Sequence, residues 1–128
     1  MKLTDEYEIS EWAYYQCKDR NDIPQIRRLI TSSFWAYYYC RNVKDREEMW
    51  RYITDSYYAY CYCIDVKDRE EVWNKITESE WAYYYCYYIT DREEVWRKIT
   101  ESKWAHWYCR DVKDRPEVRR YIKDETNR

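Results

Sequence analysis

Six cysteines, one histidine and eight tryptophans are the side chains of this 128-residue chain with the most reactivity in them. Cys17, Cys40, Cys63, Cys86 and Cys109 recur every 23 residues, each four positions after an alanine. That spacing puts alanine and thiol on one helix face, and a small soft side chain suits a place where helices approach closely. Stacked helices sit about 10 Å apart, too far for equivalent thiols to form a disulfide or share a metal. Cys61 is the additional cysteine. It lies two residues before Cys63, so the two thiols face different directions on a helix and make a poor C-x-C metal site. His106 stands alone where other repeats carry Tyr14, Tyr37, Tyr60 and Tyr83. Without a second histidine or a triad-like set, and with carboxylates confined to helix starts and charge runs, no enzyme, metal or cofactor is expected.

The elements that position these residues follow from the same interval. Ala13, Ala36, Ala59, Ala82 and Ala105 keep it, as do Ser10, Ser33, Ser56, Ser79 and Ser102. So do Asp22, Asp45, Asp68, Asp91 and Asp114, and Ile30, Ile53, Ile76, Ile99 and Ile122. Five residue types held in register five times define a tandem repeat. Each repeat reads as two helices. The first follows the serine, expected as its N-cap. The second opens on an aspartate three residues before Glu or Gln, a capping-box pattern in which Asp22, Asp45, Asp68, Asp91 and Asp114 are the expected caps. Pro24 and Pro116 fall in its first turn, where a missing N–H costs little. Helices this short must stack to persist, so an all-α solenoid is expected, with repeats at 10–32, 33–55, 56–78, 79–101 and 102–124. Leu3 and Tyr7 suggest an N-terminal half-repeat over 1–9 as a capping helix, and the polar tail from Asp124 suits the other end.

The segments "WAYYYC", "ITDREEVWRKI" and "DVKDRPEVRRYI" resemble the short tandem helical-hairpin repeats of uncharacterised bacterial and phage proteins. Placing small alanines where helices meet is also similar to tetratricopeptide and Sel1-type repeats, which are longer. The resemblance implies a solenoid and carries no activity. If it extends to origin, an inhibitor of a host protein is one form the function would take.

The aromatics divide by position. Trp12, Trp35, Trp81 and Trp104 precede the alanine and should flank the core. Trp50, Trp73 and Trp96 follow Arg46, Arg69 and Arg92 by four residues, so each guanidinium is expected to cover the indole of its own helix. Positions two before, two after and five after the alanine should point outward. In the end repeats they read Glu11, Tyr15, Lys18 and Lys103, Trp107, Arg110. In the middle, besides Arg41 and Glu80, they hold Phe34, Tyr38, Tyr57, Cys61, Ile64, Tyr84 and Tyr87, with Tyr88 beside them. Core packing does not require rings on that side, and exposed aromatic patches mark interaction surfaces. These eight residues are the candidate binding site. A protein or peptide partner fits best. Self-assembly into an oligomer or filament through the same rings is the alternative, ahead of single-stranded nucleic acid and small molecules. Charged residues make up 38% of the chain at a net charge of −2, so no basic stripe draws it to nucleic acid. Apolar runs too short for a bilayer and a start without a signal-peptide pattern point to a cytoplasmic setting with reduced cysteines.

Overall fold

A computed structural model describes residues 5–123. Among them lie ten helices and no strand. The first helices of the repeats are α1 (Glu6–Asp19), α3 (Ser33–Asn42), α5 (Ser56–Asp65), α7 (Ser79–Tyr88) and α9 (Ser102–Asp111). Between them come α2 (Pro24–Arg27), α4 (Glu47–Trp50), α6 (Glu70–Trp73), α8 (Glu93–Trp96) and α10 (Pro116–Arg119). The chain forms two compact units, one reaching Lys75 and one beginning at Ile76. In the first unit α1 packs on α3 and α3 on α5, each with its short partner helix; in the second α7 packs on α9 and carries α8, as α9 carries α10. Both units thus have the repeating helix-pair arrangement of an α-solenoid.

The second helices are single turns, shorter than the apolar spacing suggested. After Trp50 the chain leaves through tighter i→i−3 bonds, Tyr52 N–H to Met49 C=O and Ile53 N–H to Trp50 C=O, both 3.0 Å. One turn has no stability of its own. Burial supplies it: Met49, Val72, Val95 and Val118, with Ile30, Ile53, Ile76 and Ile99, are sealed from solvent.

The serines do not cap the helices they begin. The residues that cap are Asp5, Ser32 and Asp55, each accepting a backbone N–H of the following turn. Ser33 Oγ instead donates to Tyr52 C=O at 3.0 Å and accepts Thr54 N–H at 2.9 Å. Ser10 and Ser79 repeat this, accepting from Thr31 and Thr100 at 2.9 Å. The exit of a one-turn helix leaves backbone groups that must find partners when covered. The serine hydroxyl of the same repeat serves both kinds. Tyr7 lies in the first turn of α1, which runs unbroken into the first repeat, where a separate half-repeat over 1–9 was expected. Leu3, and the polar tail from Asp124, lie outside the described residues.

Candidate interaction surface

The aspartates expected as caps have a different task. Each precedes the N-cap residue by one, Ile23 for Asp22 and an arginine for the other four, and none of the short helices has a side-chain cap. Asp45 accepts the hydroxyl of Tyr62 at 2.7 Å and a guanidinium N–H of Arg69 at 2.8 Å, both from the following repeat. Arg69 Nε donates to the same Tyr62 oxygen at 2.8 Å. Asp91, Tyr108 and Arg115 form the same triangle in the second unit, at 2.7, 2.6 and 2.7 Å. Asp22 joins Tyr39 and Arg46 and also pairs with Arg27 at 3.0 Å. Burial works against the Asp22 carboxylate, but bonds from Tyr39, Arg27 and Arg46 outweigh it and hold its pKa below the ordinary value. Burial, then the facing carboxylate, push the hydroxyls of Tyr39, Tyr62 and Tyr108 well above theirs. Within each unit, then, a partly buried triad clasps one repeat to the next.

The arginines stack across repeats too. Arg69 covers Trp50 at 4.9 Å and Arg115 covers Trp96 at 4.8 Å, each an indole of the repeat before and not one on its own short helix. The reason is backbone conformation. Arg69 and Arg115 are N-caps in extended geometry, outside the helix, where i,i+4 adjacency does not hold.

A second tie joins first helices. Asn42 Nδ2 donates to Tyr14 Oη at 2.8 Å, Tyr83 Oη donates to Asp111 at 2.8 Å, and Tyr37 pairs likewise with Asp65. Tyr14, Tyr37 and Tyr83 are accordingly buried, while His106, at the same position, is exposed against Trp107.

The cysteines fill the packing face. Cys17, Cys40, Cys63 and Cys86 are buried; Cys109, on the last first-type helix of the described residues, is half-buried. The thiols of Cys40 and Cys86 donate weakly to the carbonyls of Arg46 and Arg92 at 3.9 Å. Burial pushes the Cys17 thiol up to about 11, and Cys40 and Cys86 to about 12. Cys61 is half-buried, its pKa raised by burial and partly offset by Tyr57.

These ties consume one side of each first helix and leave the other to the remaining rings. In the first unit Tyr57 and Ile64 are exposed, whereas Phe34, Tyr38 and Cys61 are half-buried. Phe34 is covered because it lies 4.6 Å from Trp35, 4.9 Å from Tyr38 and 5.5 Å from Tyr58. In the second unit Tyr87 and Tyr88 are 49% and 59% exposed, and Tyr84 is half-buried, stacked on Tyr88 at 6.1 Å. Of the tryptophans before the alanines, Trp35 is buried, Trp81 and Trp104 are half-buried, and Trp12 is exposed. Sequence reasoning missed Tyr39, Tyr62 and Tyr108 as clasp members. Their signal was present: tyrosine follows aspartate by 17 and arginine follows it by 24 in each triad.

Among the described residues no group of three or more His, Cys, Asp or Glu is placed to hold a metal ion, and no helix is long and apolar enough to cross a membrane. No family model, curated protein or solved structure matches the chain.

Proposed function

We propose that this chain is a non-enzymatic helical repeat module that binds a protein or peptide on the Tyr-rich face of its first helices. The observation that carries the reading is Tyr88. Asn42, Asp65 and Asp111 occupy its place in other repeats, and each ties its helix to a tyrosine of the repeat before. Tyr88 replaces that polar tie with a ring that is 59% exposed, the most exposed large apolar side chain of the described residues. Tyr87 beside it stands where Lys18, Arg41, Ile64 and Arg110 stand elsewhere. These two rings touch Tyr83 and Tyr84 yet leave about half of their surface to solvent. They are the kind of side chain that dominates binding hot spots, giving large contact area at low entropic cost. Resemblance alone supports an inhibitor of a host protein as the form of this activity.

The test is the double variant Tyr87→Ser/Tyr88→Ser, measured against peptides selected on the intact chain. Exposed substitutions change stability by about 0.5 kcal/mol or less, so the melting temperature should hold. Affinity should fall by about 2 kcal/mol or more, as for a hot spot. Unchanged affinity for every selected peptide would remove the reading. Light scattering on the same pair covers self-assembly: a dimer or longer species that the double variant dissolves replaces the peptide with a second copy of the chain.

A further inference from the structure

Between α1 and α3 the first unit has a groove of about 400 Å³ walled by Tyr14, Tyr15, Phe34, Trp35 and Tyr38, with Lys18 and Asn42 beside them. Its counterpart between α7 and α9, about 330 Å³, is lined by two of the chain's own cations, where at the α1–α3 groove Arg41 alone among the described residues lies over a ring, 5.7 Å from that of Tyr38. Between α7 and α9, Lys103 lies 4.9 Å over Trp104, and Arg110 lies 3.9 Å over Trp107 and pairs with Asp111. In the α1–α3 groove Phe34 stands at the position of Lys103. Trp35 is only 6% exposed, and its indole Nε1–H has no hydrogen-bond partner. A buried donor without a partner costs about 1–3 kcal/mol, and native proteins hold few of them. The one charged group lining the groove is the Lys18 ammonium, 3.8 Å from Asp19. No carboxylate lines it.

An unsatisfied indole donor and a cation on aromatic walls select a guest that is apolar and carries an acceptor with negative charge. We propose that this groove receives an acidic peptide segment in which a carboxylate adjoins an aromatic ring. The ring lies against Tyr15 and Tyr38. The carboxylate accepts from Trp35 Nε1–H and from the Lys18 ammonium. Rings now seal the indole N–H, so entry requires one to move. Tyr7 and Tyr15 are placed to do so: they are 47% and 44% exposed and rest on Trp35 at 5.6 and 5.7 Å. The inference rests on the reading of the first-helix face as a binding surface and gives the partner its chemistry.

Phenylacetate and phenethylamine are probes of similar size and opposite charge. The intact chain is titrated with each, and the indole N–H resonances of the isotope-labelled protein are followed. Trp35→Phe identifies the Trp35 peak; if that variant does not fold, contacts to the Phe34 ring protons identify it instead. Phenylacetate should shift the Trp35 peak saturably, and phenethylamine should not. Lys18→Gln, at an exposed site, should weaken phenylacetate about fivefold, the upper range for a solvent-exposed ion pair. A Trp35 peak unmoved by phenylacetate, an equal response to phenethylamine, or unchanged affinity in Lys18→Gln would each overturn the inference. Neither probe is a peptide, so such a failure leaves the Tyr87/Tyr88 measurement standing on its own result.

Discussion

Tyr62 occupies the centre of a clasp whose other members are both charged. Its hydroxyl donates to Asp45 and accepts from Arg69, while its ring is fully buried. Phenylalanine would fit the same space without the oxygen. Asp45 and Arg69 would still meet at 2.8 Å, but each would lose one bond in a partly desolvated place. Tyr62→Phe should therefore cost about 1–3 kcal/mol in chemical denaturation, the range for a broken buried hydrogen bond. Tyr57→Phe, on the exposed face of the same helix, should stay within about 0.5 kcal/mol. Equal costs at the two positions would mean that Tyr62 contributes through its ring alone. Residue chemistry explains why these rings are tyrosine: a fully buried phenylalanine offers nothing to a carboxylate.

At the scale of the helix, the decisive quantity is phase. A ten-residue first helix must present alanine, cysteine and the clasp tyrosine to its neighbours and the remaining rings to solvent. Cys61 and Cys63 sit two residues apart on α5 and therefore report opposite sides of it. Cys63 is buried and Cys61 half-buried. Thiolate is the reactive form, and burial holds Cys40 and Cys86 at about 12. A thiol reagent on the native protein should modify Cys61 first and leave Cys17, Cys40, Cys63 and Cys86 until unfolding. Mapping the labelled sites checks this, and early modification of Cys40 or Cys86 would contradict the phase. Cys109, half-buried, should fall between the two groups.

Across the molecule, the repetition of one clasp makes stability depend on pH from both sides. Asp22 has a folded-state pKa below its ordinary 3.8, so the stability it contributes is present above that value and is lost as pH falls through the lower folded one. Tyr37, Tyr39, Tyr62, Tyr83 and Tyr108 are shifted the other way, chiefly by burial. A raised folded pKa contributes stability that is complete below the ordinary tyrosine value of 10.0 and is lost as pH rises beyond it. Urea midpoints should hold level through the neutral range, fall in strong acid and fall again above pH 10.0. Asp22→Asn should flatten the acid limb in part. Tyrosinate absorbance from the buried rings should appear together with unfolding; its appearance in the folded protein would show the clasps to be open to solvent.

The repeat interval, the helix-pair unit, the all-α class and the packing role of alanine, cysteine and isoleucine were all legible in the sequence. Periodicity reports which side chains share a face, and a face common to five repeats is the one that must be buried. The outward exposure of Tyr57, Ile64, Tyr87 and Tyr88 followed from the same phase. What only the tertiary structure decided was the destination of the polar groups. Ser33 and Asp45 each look like caps locally, because a hydroxyl or carboxylate near a helix start normally satisfies that helix's own N–H groups. Stacking offered Asp45 partners 17 and 24 residues away in the next repeat, and the pairing of helices within one repeat offered Ser33 backbone groups 19 and 21 away. For Asp45, charge-assisted bonds in a partly buried seam outweigh a cap bond in water. Cap preference is a local property, whereas the position of a neighbouring repeat's tyrosine, arginine or unpaired indole N–H exists only once the helices are packed.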